Sequence, residues 1–210
     1  MRSQVFSDRE EAGRFLADEL GHRGWTDPIV LGLARGGVPV ADVVARRLGA
    51  PLEVAVARKI GAPGRPEFGV GAVAASGAAI YDQAGLDHLG VSQEDLAETE
   101  ATERAEACRR IFEYRGEREA ASLRGRDVIL VDDGLATGVT ATVVLRALRR
   151  EAPRRLVFAV PVCAPRAANA LRYEADEFVC VKAPKQFRAV GQWYADFRQV
   201  QDAEVIGLLA

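Results

Sequence analysis

One stretch limits the fold of this chain more than any other: PIVLGLARGGVPVADVVARRLGAPLEVAVA, residues 28–57. It opens on an unbroken apolar run over 28–34, the pattern of a strand buried on both faces. Glycines follow, then Pro39 where it suits a first helical turn, a stripe of Ala41, Val44, Ala45 and Leu48, and Gly49 as a stop. A second apolar run fills 51–57. Strand, glycine turn, helix and strand within about 30 residues form a βαβ unit. Parallel strands need such a crossover, so this unit commits the chain to a parallel sheet with helices packed on it.

The same alternation runs through the rest. SDREEAGRFLADELGHRG predicts a helix, with Ser7 as cap, Glu10 three residues on, Ala12, Phe15, Leu16 and Leu20 on one face, and Gly21 as the stop. DVILVDDG is a strand, VTATVVLRALRREA a helix with Arg149 and Arg150 near its negative end, and RRLVFAVPVC a strand. PRAANALRYEA is a short helix and DEFVCVKA, residues 176–183, a last strand. RKIGAPGRPEFG, residues 58–69, reads as a polar loop, with VGAVAAS and AAIYD as strands joined by a turn at Ser76-Gly77. Residues 83–124 break the rhythm. From Ser92 to Arg118 the chain is rich in Ala, Glu and Arg, capped by Ser92 and Asp95, with a narrow stripe of Ala101, Ala105, Cys108 and Phe112. That predicts a long, solvated helix packed on one side, either an insertion or a long crossover. Strands alternating with helices predict a doubly wound α/β domain with helices on both faces of the sheet.

Composition narrows the function. With 210 residues, 49% of them hydrophobic, the chain can bury a sizeable core. A formal net charge of −2 offers no basic field for a nucleic-acid polymer or an anionic membrane. No apolar run approaches the roughly 20 residues that span a bilayer, and MRSQVFSDREEAG lacks the apolar segment of a signal peptide, so a cytoplasmic protein is expected. Cys108, Cys163 and Cys180 form no CxxC pair, and His22 and His88 have no ligand spacing, so neither a disulfide framework nor a zinc site is expected. Of the 28 basic residues three are lysines, Lys59, Lys182 and Lys185, all in loops or at strand ends.

Ligands of such folds bind beyond the carboxyl ends of the strands. Three segments lie there: ARGGVP, RKIGAPG and DDGLATGVT. In the last, Ala136, Thr137, Gly138, Val139 and Thr140 form a turn entering a helix. Unpaired N–H groups, the helix dipole and two hydroxyls make that turn a phosphate cradle. No lysine follows as in GxxxxGK[ST], which excludes a nucleoside-triphosphate loop. Asp132 and Asp133 would repel a phosphate, but carboxylates accept hydrogen bonds from vicinal sugar hydroxyls. A ribose with a 5-phosphate satisfies both halves.

The 13 residues VILVDDGLATGVT, 128–140, resemble the phosphoribosyl-pyrophosphate motif of type I phosphoribosyltransferases: four hydrophobic residues, two acids, then a small-residue loop with TG and a final Thr. The resemblance covers the sheet core, about two-thirds of the chain, and leaves out 83–124. It implies a mainly parallel five-stranded sheet in a core over 1–175, and a hood over 176–210 that receives the acceptor base. It implies Mg²⁺ carried on the sugar diphosphate near Asp132 and Asp133 with no direct protein ligand, and small-molecule substrates, phosphoribosyl pyrophosphate and a nitrogenous base. Relatives are commonly dimers, which implies a homodimer.

By the same resemblance Asp132 and Asp133 hold the ribose hydroxyls and the turn 136–140 holds the 5-phosphate. Arg35, Gly36 and Gly37 form the pyrophosphate loop, and Arg58 and Lys59 face the pyrophosphate. RKIGAPG with PEFG is similar to the mobile-loop sequence of adenine phosphoribosyltransferases, which makes Glu67 the general acid/base beside Arg58 and Lys59. In the hood Lys182, Phe187 and Trp193, with Tyr194 and Phe197 nearby, are the candidates for contacting a base. Ala136 stands where hypoxanthine-guanine enzymes carry an acid, a departure shared with the adenine and uracil enzymes. The expected reaction is transfer of 5-phosphoribosyl to a base with release of pyrophosphate, in nucleotide metabolism. The alternative is a non-catalytic sensor of the sugar diphosphate or a nucleotide. A dinucleotide-binding oxidoreductase is disfavoured, because GLARGG lacks GxGxxG spacing.

Overall fold

The computed structural model describes residues 5–210, without the side chains of Pro66 and Glu67. Its centre is a parallel sheet of five strands: β1 (Pro28–Leu33), β2 (Leu52–Ala55), β6 (Asp127–Val131), β7 (Arg155–Val162) and β8 (Glu177–Lys182), in the order β2-β1-β6-β7-β8. Every neighbouring pair is parallel, with Val30 opposite Leu52, Ile29 opposite Val128, Leu130 opposite Phe158 and Phe158 opposite Phe178. The expected doubly wound sheet is therefore present, and β1, β6 and β7 lie inside it.

Helices α1 (Arg9–Gly21) and α2 (Gly37–Leu48) cover one face, and α5 (Val139–Arg150) and α6 (Pro165–Leu171) the other. On the first face Leu16, Leu20, Val40 and Val44 pack on Val30, Ile129 and Val157. On the second Leu145 and Leu171 pack on Leu130, Leu156 and Phe158. Each fully buried aliphatic or aromatic side chain of this kind stabilises the fold by roughly 1.5–3 kcal/mol. Leu16, Ile129, Leu130 and Phe158 show no solvent exposure.

A second, antiparallel sheet consists of β3 (Ala57–Ala62), β4 (Arg65–Ala74) and β5 (Ile80–Tyr81). Here the structure corrects the reading of 58–69 as a loop. Arg58 pairs with Val73 and Ile60 with Gly71, so the segment is a hairpin whose turn lies at Pro63 and Gly64. Ile60, Val70 and Val73 bury against Leu86 of α3 (Gln83–Leu89) and against Leu96. That cluster is assembled from the 83–124 segment, which is why local composition did not reveal it.

The long helix α4 (Ala97–Arg115) forms, preceded by the expected cap, with Asp95 N–H donating to Ser92 Oγ at 3.2 Å. Its expected apolar stripe, however, faces solvent: Ala101, Ala105 and Cys108 are exposed and Phe112 is 73% exposed. The first half of the helix docks through charge and the second half through apolar contact. Arg104 donates to the carbonyls of Ala74 and Gly77 at 3.0 and 2.8 Å, and the Tyr81 hydroxyl donates to Glu100 at 2.6 Å. Ala107, Ile111 and Tyr114 add an apolar contact to Val54 and Val56 and to α7 (Asp202–Leu209).

Two further boundaries move. The α1 cap is Asp8, not Ser7: Asp8 Oδ1 accepts from Glu11 N–H at 2.8 Å, and Glu11 Oε2 accepts from Ser7 N–H at 2.5 Å. The capping pair sits one residue later because Asp8 and Glu11 have the same spacing as Ser7 and Glu10. The strand over 176–183 belongs to the parallel sheet, so the segment outside it begins after Lys182. Among the described residues no helix is long and apolar enough to cross a membrane.

Candidate functional site

The carboxyl end of β6 runs through Asp132, Asp133 and Gly134 into the turn 136–140 and then α5. The residue that enters the turn is anchored twice: Leu135 N–H donates to Val162 O at 2.9 Å, and Ala164 N–H donates to Leu135 O at 2.7 Å. Gly138 caps α5 with φ of +85°, and a Cβ there would lie 2.6 Å from Leu171 Cδ1. Only glycine meets both conditions. The cap leaves the first N–H groups of α5 without intrahelical partners, at the positive end of the dipole. Thr142 Oγ1 turns back to Gly138 O at 2.9 Å, while Ala136 and Thr137 are exposed and Thr140 is half-buried. The five residues of the expected phosphate turn thus stand together at one helix start.

The two acids sit against the glycines of the ARGG turn. A Cβ on Gly37 would lie 2.5 Å from Val131 O and 2.9 Å from Asp132 Cα, and one on Gly36 would overlap Asp133 Oδ2 at 2.1 Å. Small residues there let the two loops touch. Asp132 Oδ1 accepts from Asp133 N–H at 2.8 Å. Burial, and next the charge of Asp133, hold the Asp132 carboxyl well above the ordinary carboxylate range. Burial also raises Asp133, with the Arg9 guanidinium opposing it. Asp133 Oδ2 accepts from Arg9 Nε at 2.9 Å and lies 2.8 Å from Arg9 Nη2.

Of the expected cations Arg35 and Arg58 are engaged with carboxylates. Arg35, preceded by a cis peptide from Ala34, lies 3.7 Å from Asp202 Oδ1, which also accepts from the Tyr114 hydroxyl at 2.5 Å. Arg58 Nε donates to Glu103 of α4 at 2.8 Å. Lys59 is exposed and lies across Gly69, within 3.7 Å of where a Cβ would be. It borders two cavities. One, of about 650 Å³, runs between Arg58, Gly64, Thr99, Glu103 and Thr140; the other, of about 480 Å³, between Tyr81, Thr137, Val139 and Thr142. Both have the size of small-ligand clefts, and both touch the phosphate turn. The Glu67 side chain, the expected acid/base, lies outside the described residues.

The expected base contacts pack among themselves. Phe187 and Trp193 stack with centroids 6.4 Å apart, in a cluster with Phe6, Val190 and Tyr194. Lys182 Nζ lies 3.8 Å above the Phe6 ring. The tail nevertheless reaches the acids. Tyr194 donates its hydroxyl to Asp133 O at 2.6 Å, and Val190 fills the space that a Cβ on Gly134 would take. Cys163 and Cys180, from neighbouring strands, are free thiols with sulfurs 2.9 Å apart.

Three residues of this constellation escaped the sequence reading: Arg9, Glu103 and Asp202. Tyr194, expected near a base, meets the backbone of the acid pair instead. Arg9 had a local signal. Reading the α1 cap at Asp8 rather than Ser7 puts Arg9 on the first helical position, at the end facing the strand termini. Glu103 and Asp202 act across long stretches of chain, as with Arg58 and Glu103 at a separation of 45, and carry no local mark.

Among the described residues no group of three or more His, Cys, Asp or Glu could hold a metal ion. The local donor for a hard cation is the acid pair, of which Asp133 already carries a guanidinium.

The phosphoribosyl transferase domain family matches residues 4–198, including the 83–124 segment. Two Mycobacterium tuberculosis strains, CDC 1551 and H37Rv, have relatives named "Putative phosphoribosyl transferase", MT0597 and Rv0571c; each is 40% identical over 209 residues, 98% of this chain and 46% of the relative. The chain thus spans about half the length of the curated relatives it matches. Among solved structures, TT1426 from Thermus thermophilus is 45% identical and superposes with a TM-score of 0.81 over 98% of this chain and 97% of that one. AQ2163 from Aquifex aeolicus, at 13% identity, shares the fold with a TM-score of 0.54 over 90% of this chain and 83% of that one. A β6 that ends in paired acids, a glycine-capped turn beyond it, and a match along nearly the whole length lead to one assignment: the chain belongs to the phosphoribosyl transferase domain family.

Proposed function

We propose that this chain transfers a 5-phosphoribosyl group from phosphoribosyl pyrophosphate to a ring nitrogen of a nitrogenous base, in nucleotide metabolism. One observation carries the reading: two carboxylates stand directly before a helix-start turn whose N–H groups are unpaired, with a glycine loop pressed against them. The 5-phosphate takes the turn 136–140, the ribose hydroxyls take Asp132 and Asp133, and the diphosphate lies toward Gly36, Gly37, Arg58 and Lys59.

In the reaction the C1–O bond to the diphosphate breaks and its electron pair leaves with pyrophosphate. The lone pair of the base nitrogen forms the new C1–N bond, and the nitrogen's proton passes to a general base, for which Glu67 is the candidate. The transition state is cationic at C1, so catalysis rests on positioning and on donors held where negative charge collects on the leaving group. Asp132 and Asp133 would stand beside a Mg²⁺ ion carried on the sugar diphosphate, which would supply neutralisation of the leaving group's charge. The residues after Lys182, including Phe187 and Trp193, form the hood, and the protein acts as a homodimer.

Incubation with phosphoribosyl pyrophosphate, Mg²⁺ and a panel of bases tests the reading: pyrophosphate is released with one base and not in its absence. Glu67→Gln lowers kcat more than it raises KM; an unchanged kcat removes Glu67 from the reaction. The alternative is a non-catalytic sensor that binds the sugar diphosphate in the same pocket. Tight binding of the sugar diphosphate without turnover of any base selects that sensor.

A further inference from the structure

Arg9 has no place in the reading so far, yet it makes the densest set of contacts to the acid pair. It stands at the start of α1, with a side chain only 11% exposed. Its Nε and Nη2 lie 2.9 and 2.8 Å from the same oxygen, Asp133 Oδ2. Its Nη1 donates to Arg198 O at 2.8 Å, and its guanidinium carbon lies 4.1 Å from the Phe197 ring centroid. Asp133 meets the backbone at Gly36 with that same oxygen and accepts Tyr194 with its carbonyl. One guanidinium therefore gathers α1, the second acid, the ARGG turn and the tail.

We propose that Arg9 is a positioning residue for the sugar-diphosphate site, fastening Asp133 against Gly36 and tying the tail to both. The role rests on the function proposed above. Arg9 holds Oδ2 with two donors, so Asp133 cannot rotate away from the Gly36 turn, and Oδ1 stays outside the fork. Asp132 carries no guanidinium, so its carboxylate and Asp133 Oδ1 are left to exchange hydrogen bonds with a ligand. The planar fork is what the geometry uses: two donors on one oxygen, a third on a carbonyl and a face on an aromatic ring. An ammonium has three donors on one nitrogen and no planar face, so it cannot span the carboxylate, the carbonyl and the ring together.

The test compares wild type with Arg9→Lys, Arg9→Gln, Asp133→Asn and the Arg9→Gln/Asp133→Asn double variant. Arg9→Gln raises KM for phosphoribosyl pyrophosphate about tenfold or more, as loss of a charged hydrogen-bonded pair does. It leaves kcat and KM for the base within about twofold. Arg9→Lys recovers part of the loss, and the double variant loses less than the sum of the singles because both act through one contact. Hydrogen exchange of the substrate-free protein reads the fastening separately: amides over 36–38 and 194–198 exchange faster in Arg9→Gln, while those of β6 and β7 do not. An unchanged KM in Arg9→Gln, or fully additive losses, overturns the role, as does exchange that rises equally in the core strands. If Arg9→Gln does not fold, Arg9→Lys carries the same readings. If wild type turns over no base, the transferase reading fails, and the exchange pattern still decides the fastening.

Discussion

The two regions proposed to hold the 5-phosphate and the diphosphate differ in how they are made. The phosphate turn is backbone: a positive-φ glycine, unpaired N–H groups at the start of α5, and two flanking hydrogen bonds to β7 and α6 that hold it in place. It needs no rearrangement to accept a phosphate. The diphosphate side is made of long side chains, and two of its three cations already have carboxylate partners, Arg35 with Asp202 and Arg58 with Glu103. A diphosphate has to displace those carboxylates. Partly exposed pairs of this kind are worth only about 0.2–1 kcal/mol, so a multiply charged ligand can do so. On the proposed function the first region fixes where the sugar phosphate sits, and the second is expected to act as a latch whose ion pairs change partners when the donor arrives.

The largest effect is expected where the difference between the regions vanishes, at the acids both regions touch. Replacing Asp132 and Asp133 together with Asn weakens binding of phosphoribosyl pyrophosphate by two orders of magnitude or more, as the loss of two charge-assisted acceptors implies. The fold survives, because Asn at 133 still offers Arg9 an oxygen. Calorimetric titration with a melting curve on the same sample checks both halves, and wild-type affinity in the double variant refutes the ribose assignment.

A smaller effect comes from the rigid region alone. Gly138→Ala forces a Cβ into the left-handed region and toward Leu171, 2.6 Å away. Such strain costs about 1–3 kcal/mol. The melting temperature falls, and phosphate-dependent binding falls by about tenfold. A variant as stable and as tight as wild type shows that the turn adapts and is not a fixed cradle.

The same contrast explains what could be read in the sequence. The five-stranded sheet follows from apolar runs alternating with helical stripes. The turn follows from Asp132, Asp133 and Gly138, neighbours in the chain whose chemistry depends on that adjacency. The hairpin at 57–74 was hidden, because its core partners Leu86 and Leu96 lie in another segment. The buried face of α4 was misread because Ala107 and Tyr114 share it with the partnered charges Glu100, Glu103 and Arg104, and residue type alone assigns charges to solvent. Arg9 had one local mark, its place at the start of α1, but its partner Asp133 lies 124 residues away and could not be read from the sequence. Backbone sites are written locally, and side-chain networks are written across the fold.

The smallest effect separates a latch from a permanent ion pair. Glu103 lines the cavity beside Lys59 and holds Arg58 at 2.8 Å, with side chains 23% and 33% exposed. Glu103→Gln removes one negative charge from the cavity wall and loosens Arg58 without removing it. If the pair competes with the diphosphate, inorganic pyrophosphate binds the variant about 1.4- to fivefold more tightly, the range set by about 0.2–1 kcal/mol. The gain shrinks as salt rises from low to physiological ionic strength, since screening weakens what the carboxylate contributed. If the pair instead holds Arg58 in the geometry that the diphosphate needs, the same change weakens binding. The two outcomes have opposite signs in one titration. A weaker complex makes Glu103 part of the site, and the diphosphate side is then as preset as the phosphate turn.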